Sequence, residues 1–459
     1  MAKNDKPNVL FISFDDMNHY VGFLDRAPGA LTPHMNRLAE KSIVFEHAYC
    51  QAPICNPSRA SLMSGLRPST TGVYNNRQPL RFSEAGRDCV TLPQHFRQNG
   101  YLATGSGKVY HGKFPDPMSW DSYLPGRFNQ THAGARPPNP PVHGLENMGN
   151  LDWGPLDVAD EEMGDYKSVS YCLDQLQARH DEPFFLTCGF TTTHLMWYSP
   201  RKYIEQYRLE DIVLPEIFED DLGEVSEIGR KWANRGPHKR IVDEEKWREA
   251  IQCYLGCISY VDALIGRLMG ALEASEYAEN TVVVLWADHG WHLGEKEHWK
   301  KSTLWEEATR VPLLFSAPGF LPGTCSKPVG LIDIYPTLID LCHLPERKIL
   351  EGQSLVPLMT NPGREWARPA VTTHGLGNHA IRSERWRYIQ YADGSKELYD
   401  HQNDEMEWHN LANDESQADV LEDLSQWLPK NNAPGAEILE WPRDDHLYEK
   451  RIKTMMGIK

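Results

Sequence analysis

The stretch Asn8-Val9-Leu10-Phe11-Ile12-Ser13-Phe14, running directly into Asp15-Asp16, decides the reading of the fold. Seven residues dominated by large apolar side chains are too few for a buried helix and read as a strand covered on both faces. Two acids then leave its end. The design recurs at Thr281–Ala287, which is followed by Asp288-His289. Segments 183–190 and 311–316 also read as buried strands. Between them, 249–273 carries Ile251, Leu255, Ile258, Val261, Ile265 and Leu268 at three- and four-residue spacing, the period of a helix. Strands alternating with helices predict an α/β fold, a mostly parallel central sheet flanked by helices. Ligands of such sheets gather at the carboxyl ends of the strands. Asp15, Asp16, His194, Asp288 and His289 fall there.

Working outward, 127–142 is rich in Pro, Gly and Asn and reads as a long surface loop. A polar region at 216–245 reads as an insertion, and both are expected to wall a cleft. Past Pro362 the character changes. Segments 380–391 and 396–399 read as an antiparallel pair turning at Asp393-Gly394, followed by a helix to about Leu428. The expected division is a catalytic unit over 1–365 and a smaller C-terminal α+β subdomain, with a short antiparallel sheet, over 366–459.

The length of 459 residues allows a sizeable core. A formal net charge of −17 argues against nucleic acid as a partner, since polyanions need a basic footprint. Any anionic small ligand then needs a local cluster of cations inside an acidic body. Nine scattered cysteines do not make a disulfide framework. Cys253 and Cys257, four apart, suggest a metal pair, but without a second pair nearby they read as core. No stretch is read as a membrane span of ~20 apolar residues. The N-terminal run ends in two aspartates without a small-residue cleavage site, so it reads as a strand and not a signal peptide. The expected location is cytoplasmic, or periplasmic if a leader has been removed.

The chemistry concentrates in Cys55-Asn56-Pro57-Ser58-Arg59, continuing Ala60-Ser61-Leu62-Met63-Ser64-Gly65. It reads as a loop feeding a helix, with Pro57 in the first turn and Ser58 placed to satisfy an orphan N–H. A cysteine at a helix N-terminus beside an arginine is reactive. By itself this suggests a cysteine nucleophile for acyl or phosphoryl transfer. Asp15-Asp16 and Asp288-His289 add three carboxylates and an imidazole that call for a hard cation.

The whole string resembles the Cys-x-Pro-Ser-Arg signature of the type I sulfatases, an alkaline-phosphatase-like family, and the remainder is similar to their iduronate-sulfatase-like branch. The resemblance implies that a formylglycine-generating maturation enzyme converts Cys55 to formylglycine. It also implies one Ca2+ (or Mg2+) held by Asp15, Asp16, Asp288, His289 and the modified Cys55. Gly107-Lys108-Val109-Tyr110-His111-Gly112 resembles the family's Gly-Lys-x-x-His element, placing Lys108 on the sulfate and His111 beside the formylglycine hydrate. Spacing beyond His289 points to Lys301 as the second sulfate-binding lysine, with Lys300 its near neighbour. His194 stands where the family has the histidine that assists the leaving group, although Thr192-Thr193 replace the usual Lys-Pro. Arg59 is expected to orient the diol. Leu398-Tyr399-Asp400 through Asn410-Leu411-Ala412 resembles the family's closing segment.

The function so implied is hydrolysis of a sulfate ester on a sugar, such as a 2-O-sulfated uronic acid in an oligosaccharide. The alternatives are a phosphonate or phosphate ester hydrolase on the same scaffold, and a silent carbohydrate-binding relative. Arg77, Arg81, His132, Trp197 and His374 are candidate subsite residues.

Overall fold

The computed structural model describes residues 6–26, 29–233, 235–440 and 445–458. Residues 1–5, at the start of the segment read as lacking a leader, lie outside the described residues. The central sheet has eight strands: β1 (Asn8–Phe14), β2 (Ile43–Phe45), β3 (Leu102–Gly107), β4 (Ser122–Leu124), β5 (Phe184–Gly189), β6 (Thr281–Ala287), β7 (Leu313–Ser316) and β8 (Gly323–Cys325). Their order is β8-β2-β7-β6-β1-β5-β3-β4. All neighbouring pairs are parallel except those made by β7, which runs against both β6 and β2. The predicted α/β fold is what forms. β1 lies between β5 and β6, and every residue of β1 and β6 is buried. That burial is why the sequence of each reads as a continuous apolar run.

The 249–273 period belongs to a helix spanning Trp247–Glu273. It is long and apolar enough to cross a membrane, contrary to the sequence reading that no stretch is. Here it serves as a core helix: Ile251, Leu255, Ile258, Val261, Ile265 and Leu268 are all buried.

The C-terminal sheet is larger than the predicted pair. Ala370–Thr373, His379–Arg382, Trp386–Gln390 and Lys396–Asp400 form a four-stranded antiparallel meander. The single strand read over 380–391 breaks at Ser383-Glu384-Arg385, where Ser383 Oγ accepts the N–H of Trp386 at 3.0 Å and closes a turn. The helix that follows is Ala418–Ser425. The polar region 216–245 folds into two short helices, Glu227–Trp232 and Arg235–Asp243. Leu222, Val225 and Ala233 there share a small core with Ala380, Ile389 and Tyr399 of the C-terminal sheet.

Candidate active site

Four parallel strands end on one side of the sheet, and each is followed by a polar group of the site. Asp15 and Asp16 follow β1, Lys108 follows β3, His194 lies five residues past β5, and Asp288-His289 follow β6. Gly107 allows the close approach that launches Lys108. Its φ is +84°, and a Cβ there would lie 1.8 Å from the carbonyl oxygen of Gly189 on β5. Asp16 also adopts a left-handed conformation, φ +59°, a region in which Asp is among the few tolerated side chains.

Cys55 is the first residue of the helix Cys55–Ser64, and it is buried against these strand ends. Its thiol stands where the resemblance places a formylglycine, so its contacts mark the surroundings of that reactive carbon. Lys301 Nζ lies 2.9 Å from Sγ, His289 Nε2 3.4 Å and Asp16 Oδ1 3.8 Å. Burial raises the thiol, but Lys108 and Lys301 outweigh burial and hold it well below the usual thiol range. Ser58 does not cap the helix: its hydroxyl donates to the carbonyl oxygen of Asp288 at 2.5 Å, tying the helix to the end of β6.

Three buried carboxylates face three permanent cations. Lys108 pairs with Asp15, and Lys301 Nζ lies 2.5 Å from Asp16 Oδ1. Arg59 is fully buried, and its five N–H groups have five acceptors. Nε donates to Asp288 Oδ2 at 2.8 Å, Nη1 to the carbonyls of Lys108 and Val109, and Nη2 to the carbonyl of Phe14 and to Asp15 Oδ1. A guanidinium has only five donors. With the thiol at position 55, Arg59 holds Asp15, Asp288 and the backbone of Lys108 and Val109 in place. Burial raises the Asp15 carboxyl, but Lys108, His194, Arg59 and Lys301 together hold it well below its ordinary range.

The histidines divide by charge. His194 Nε2 lies 3.6 Å from Asp16 Oδ2; burial lowers its pKa, and Asp16 and Asp15 more than reverse this, so the ring favours its protonated form. Burial and then the nearby Lys108 push His111 well below the ordinary range, so it is neutral, and its Nδ1 is buried without a hydrogen-bond partner. His289 Nδ1 lies 3.0 Å from the carbonyl oxygen of Gly290, which makes Nδ1 the donor. Its Nε2 then faces Asp16 Oδ1 at 3.2 Å and Asp288 Oδ1 at 3.5 Å.

Asp16, Cys55, Asp288 and His289 bring one ligand atom each within 4.8 Å of one another. A bare imidazole lone pair among carboxylate oxygens is repulsive unless a proton or a cation lies between. Asp16 Oδ2 is also buried without a hydrogen-bond donor. These residues fit a hard divalent cation.

Residues 7–344 match the family model described as Sulfatase, and 294–433 match one described as N-sulphoglucosamine sulphohydrolase, C-terminal. The chain belongs to the sulfatase family. It is 38% identical to a sulfatase of Formosa agariphila, over 94% of this chain and 87% of that one. It is 29% identical to the choline-sulfatase of Rhizobium meliloti (89% and 82%) and 31% identical to human iduronate 2-sulfatase (78% and 68%). Among solved structures, a 2-O GAG sulfatase superposes with a TM-score of 0.71 at 21% identity, covering 99% of this chain and 94% of that one. A phosphonate monoester hydrolase from Silicibacter pomeroyi superposes with a TM-score of 0.73 at 23% identity, covering 92% and 94%. As a sulfatase, the chain is a sulfuric ester hydrolase.

Within this sulfatase, Asp16, Cys55, Asp288 and His289 form one group, whereas Asp15 groups with Asp16 and His194. Of the two neighbouring lysines, Lys301 reaches Cys55, whereas Lys300 Nζ turns away to Asn150 Oδ1 at 2.7 Å. Of the five candidate subsite residues, only His132 lines the cleft that contains Lys108, His111 and His194. Arg81 is buried in an ion pair with Asp116, Trp197 is fully buried among Trp153, Tyr254, Trp291 and Trp299, Arg77 pairs with Glu440, and the His374 ring packs edge-on to Trp232. The 127–142 loop walls the cleft as expected, but the described residues of 216–245 contribute none of its lining.

Several supporting residues escaped the sequence reading. Tyr254 donates to the carbonyl of Asp16 at 2.9 Å, and Thr193 to that of Asp15 at 2.7 Å. Asp165 accepts hydrogen bonds from both backbone N–H groups and both hydroxyls of Thr191 and Thr192, which fixes the turn carrying His194. Only Thr193, beside His194, carried a local signal. Tyr254 and Asp165 lie on helices remote in sequence.

Proposed function

We propose that this sulfatase removes sulfate from a sulfated saccharide, using formylglycine at position 55 and a divalent cation, Ca2+ or Mg2+. The observation that carries the proposal is charge balance. Asp15, Asp16 and Asp288 are offset by Arg59, Lys108 and Lys301. With a divalent cation and protonated His194 the site carries three positive charges; a singly charged sulfate ester and an ionised nucleophile offset two, and the third is the proton that His194 can give up.

When present, the cation supplies Lewis acidity and the hydrated aldehyde supplies two hydroxyls, one to attack sulfur and one to expel it. The remaining steps belong to this chain. Lys108 and Lys301 flank position 55 and are assigned to the equatorial sulfate oxygens. His194, favouring its protonated form, gives its proton to the departing alkoxide. His111, neutral, takes the proton of the second hydroxyl as sulfate leaves. Arg59 holds Asp288, Asp15 and the Lys108 backbone in register.

A saccharide substrate is supported by the relative and the solved structure whose names specify iduronate and a 2-O GAG sulfate. The phosphonate monoester hydrolase neighbour keeps a second reading open to direct assay, in parallel on sulfate and phosphonate esters. The deciding experiment is mass spectrometry of tryptic peptide 42–59, made in cells that supply the maturation enzyme. A loss of about 18 Da relative to the thiol, the free aldehyde, is expected. An unmodified thiol there would count against the formylglycine mechanism.

A further inference from the structure

The cleft over Lys108, His111 and His194 encloses about 500 Å3, within the range of small-molecule sites. One wall is built by 131–136 of the long loop and the other by 191–198. The loop is anchored to the catalytic segment: the buried Gln130 Oε1 accepts the N–H groups of Val109 and Tyr110 at 3.2 and 3.0 Å.

Two acids line this cleft, and neither is available to a ligand cation. Asp15 is paired with Lys108 and Arg59, and Asp165 is engaged by Thr191 and Thr192. Arg136 lines the mouth and is exposed, and it forms no side-chain hydrogen bond or ion pair with the described residues. Its charge is felt at Tyr198 on the opposite wall. On a chain of net charge −17, an uncompensated guanidinium at the entrance to a cationic cleft is a local feature directed at anions.

We infer that Arg136 is a specificity-determining residue that receives a second anionic group, a carboxylate or a further sulfate, on the alcohol portion of the ester. The inference rests on the saccharide-sulfatase reading above. Lys108 and Lys301 take the scissile sulfate, and the planar guanidinium offers a two-donor contact that carboxylate and sulfate both match.

The test compares three esters: a 2-O-sulfated uronic acid disaccharide, the same disaccharide with its carboxylate reduced to an alcohol, and the reduced form bearing a second sulfate. The wild-type enzyme should favour one or both anionic forms over the reduced monosulfate by roughly 10- to 100-fold in kcat/KM, the scale of a hydrogen bond to a charged group. Which form is favoured identifies the anion. Arg136→Gln should collapse the ratio towards one, Arg136→Lys should keep part of it, and Arg77→Gln, outside the cleft, should leave it intact. The same ratios are read as Kd by calorimetry on Cys55→Ala protein, which cannot turn over. Loss of all sulfate release would sink the catalytic reading, while the Kd ratio still decides the role of Arg136. A wild-type ratio near one, or a ratio unchanged in Arg136→Gln, overturns the inference.

Discussion

Replacing Arg59 with Met tests the electrostatic frame of the site. Arg59 is fully buried, and its five donors meet two carboxylates and three backbone carbonyls. Removing one partner of a buried ion pair costs about 3–5 kcal/mol, because the remaining charge is left without a counter-ion. Asp15 keeps Lys108, and Asp288 keeps the N–H of Asp16 at 3.1 Å, which places the loss near the lower end, about 3 kcal/mol. That is a large part of a typical folding free energy of roughly 5–15 kcal/mol. Activity is the wrong assay, since Arg59 belongs to the motif that the maturation enzyme is expected to read. Urea unfolding in EDTA, followed by the fluorescence of the 14 tryptophans, isolates the structural effect. With a slope of about 3–5 kcal/mol per molar, the midpoint should fall by roughly 0.6–1 M. Arg59→Lys should fall between, since an ammonium keeps the charge but has three donors. A fall under roughly 0.2 M at unchanged slope would refute the claim that Arg59 holds these carboxylates.

Four further outcomes are expected. Cys55→Ala should lower turnover by orders of magnitude while far-UV circular dichroism and the unfolding midpoint stay close to wild type; near-normal turnover rules the mechanism out. Calcium at a hundredfold excess over its Kd should stabilise the protein by about 2.7 kcal/mol against EDTA, and Asp16→Asn should abolish most of this; an identical melting temperature with and without calcium defeats the ligand assignment. His194→Gln should slow alkyl sulfates by about 10²–10⁴-fold and activated aryl sulfates far less, because only a poor leaving group needs the proton; equal slowing of both classes removes His194 from that role. Asp262, buried and accepting the N–H groups of His34 and Met35, is pushed up by burial to about 6. Its folded pKa lies above the unfolded value near 3.9, so stability relative to Asp262→Asn should decline between about pH 4 and 6, by at most about 3 kcal/mol, and level off above. A pH-independent difference between the two proteins would contradict this.

Much of the site was legible because its residues sit at the junction of two strong local signals. β1 and β6 are buried on both faces, so their sequences are unbroken apolar runs, and the acids at their ends stand out. Cys55-Asn56-Pro57-Ser58-Arg59 is contiguous, and a contiguous motif needs no tertiary information to be seen. β2 and β3 were missed for the opposite reason: one is three residues long, and the other reads Leu-Ala-Thr-Gly-Ser-Gly, small residues that let Lys108 and Gly189 pass at close range. Their strand character comes from neighbours in the sheet and not from propensity.

Local signals in the sequence carried the fold class and a reactive Cys55, because apolar period and helix-start chemistry are local properties, whereas most of the charged groups around Cys55 were read from the resemblance to the sulfatases. Only the tertiary structure decided how those charges pair. It spent all five donors of Arg59 on acceptors drawn from three strand ends, turned Lys301 towards Cys55 and Lys300 away, buried Trp197 and Arg81, and left Arg136 over the cleft without a partner among the described residues. Pairing depends on which strand ends the sheet order brings together, and that order is set by contacts between residues as far apart as Asp16 and Asp288.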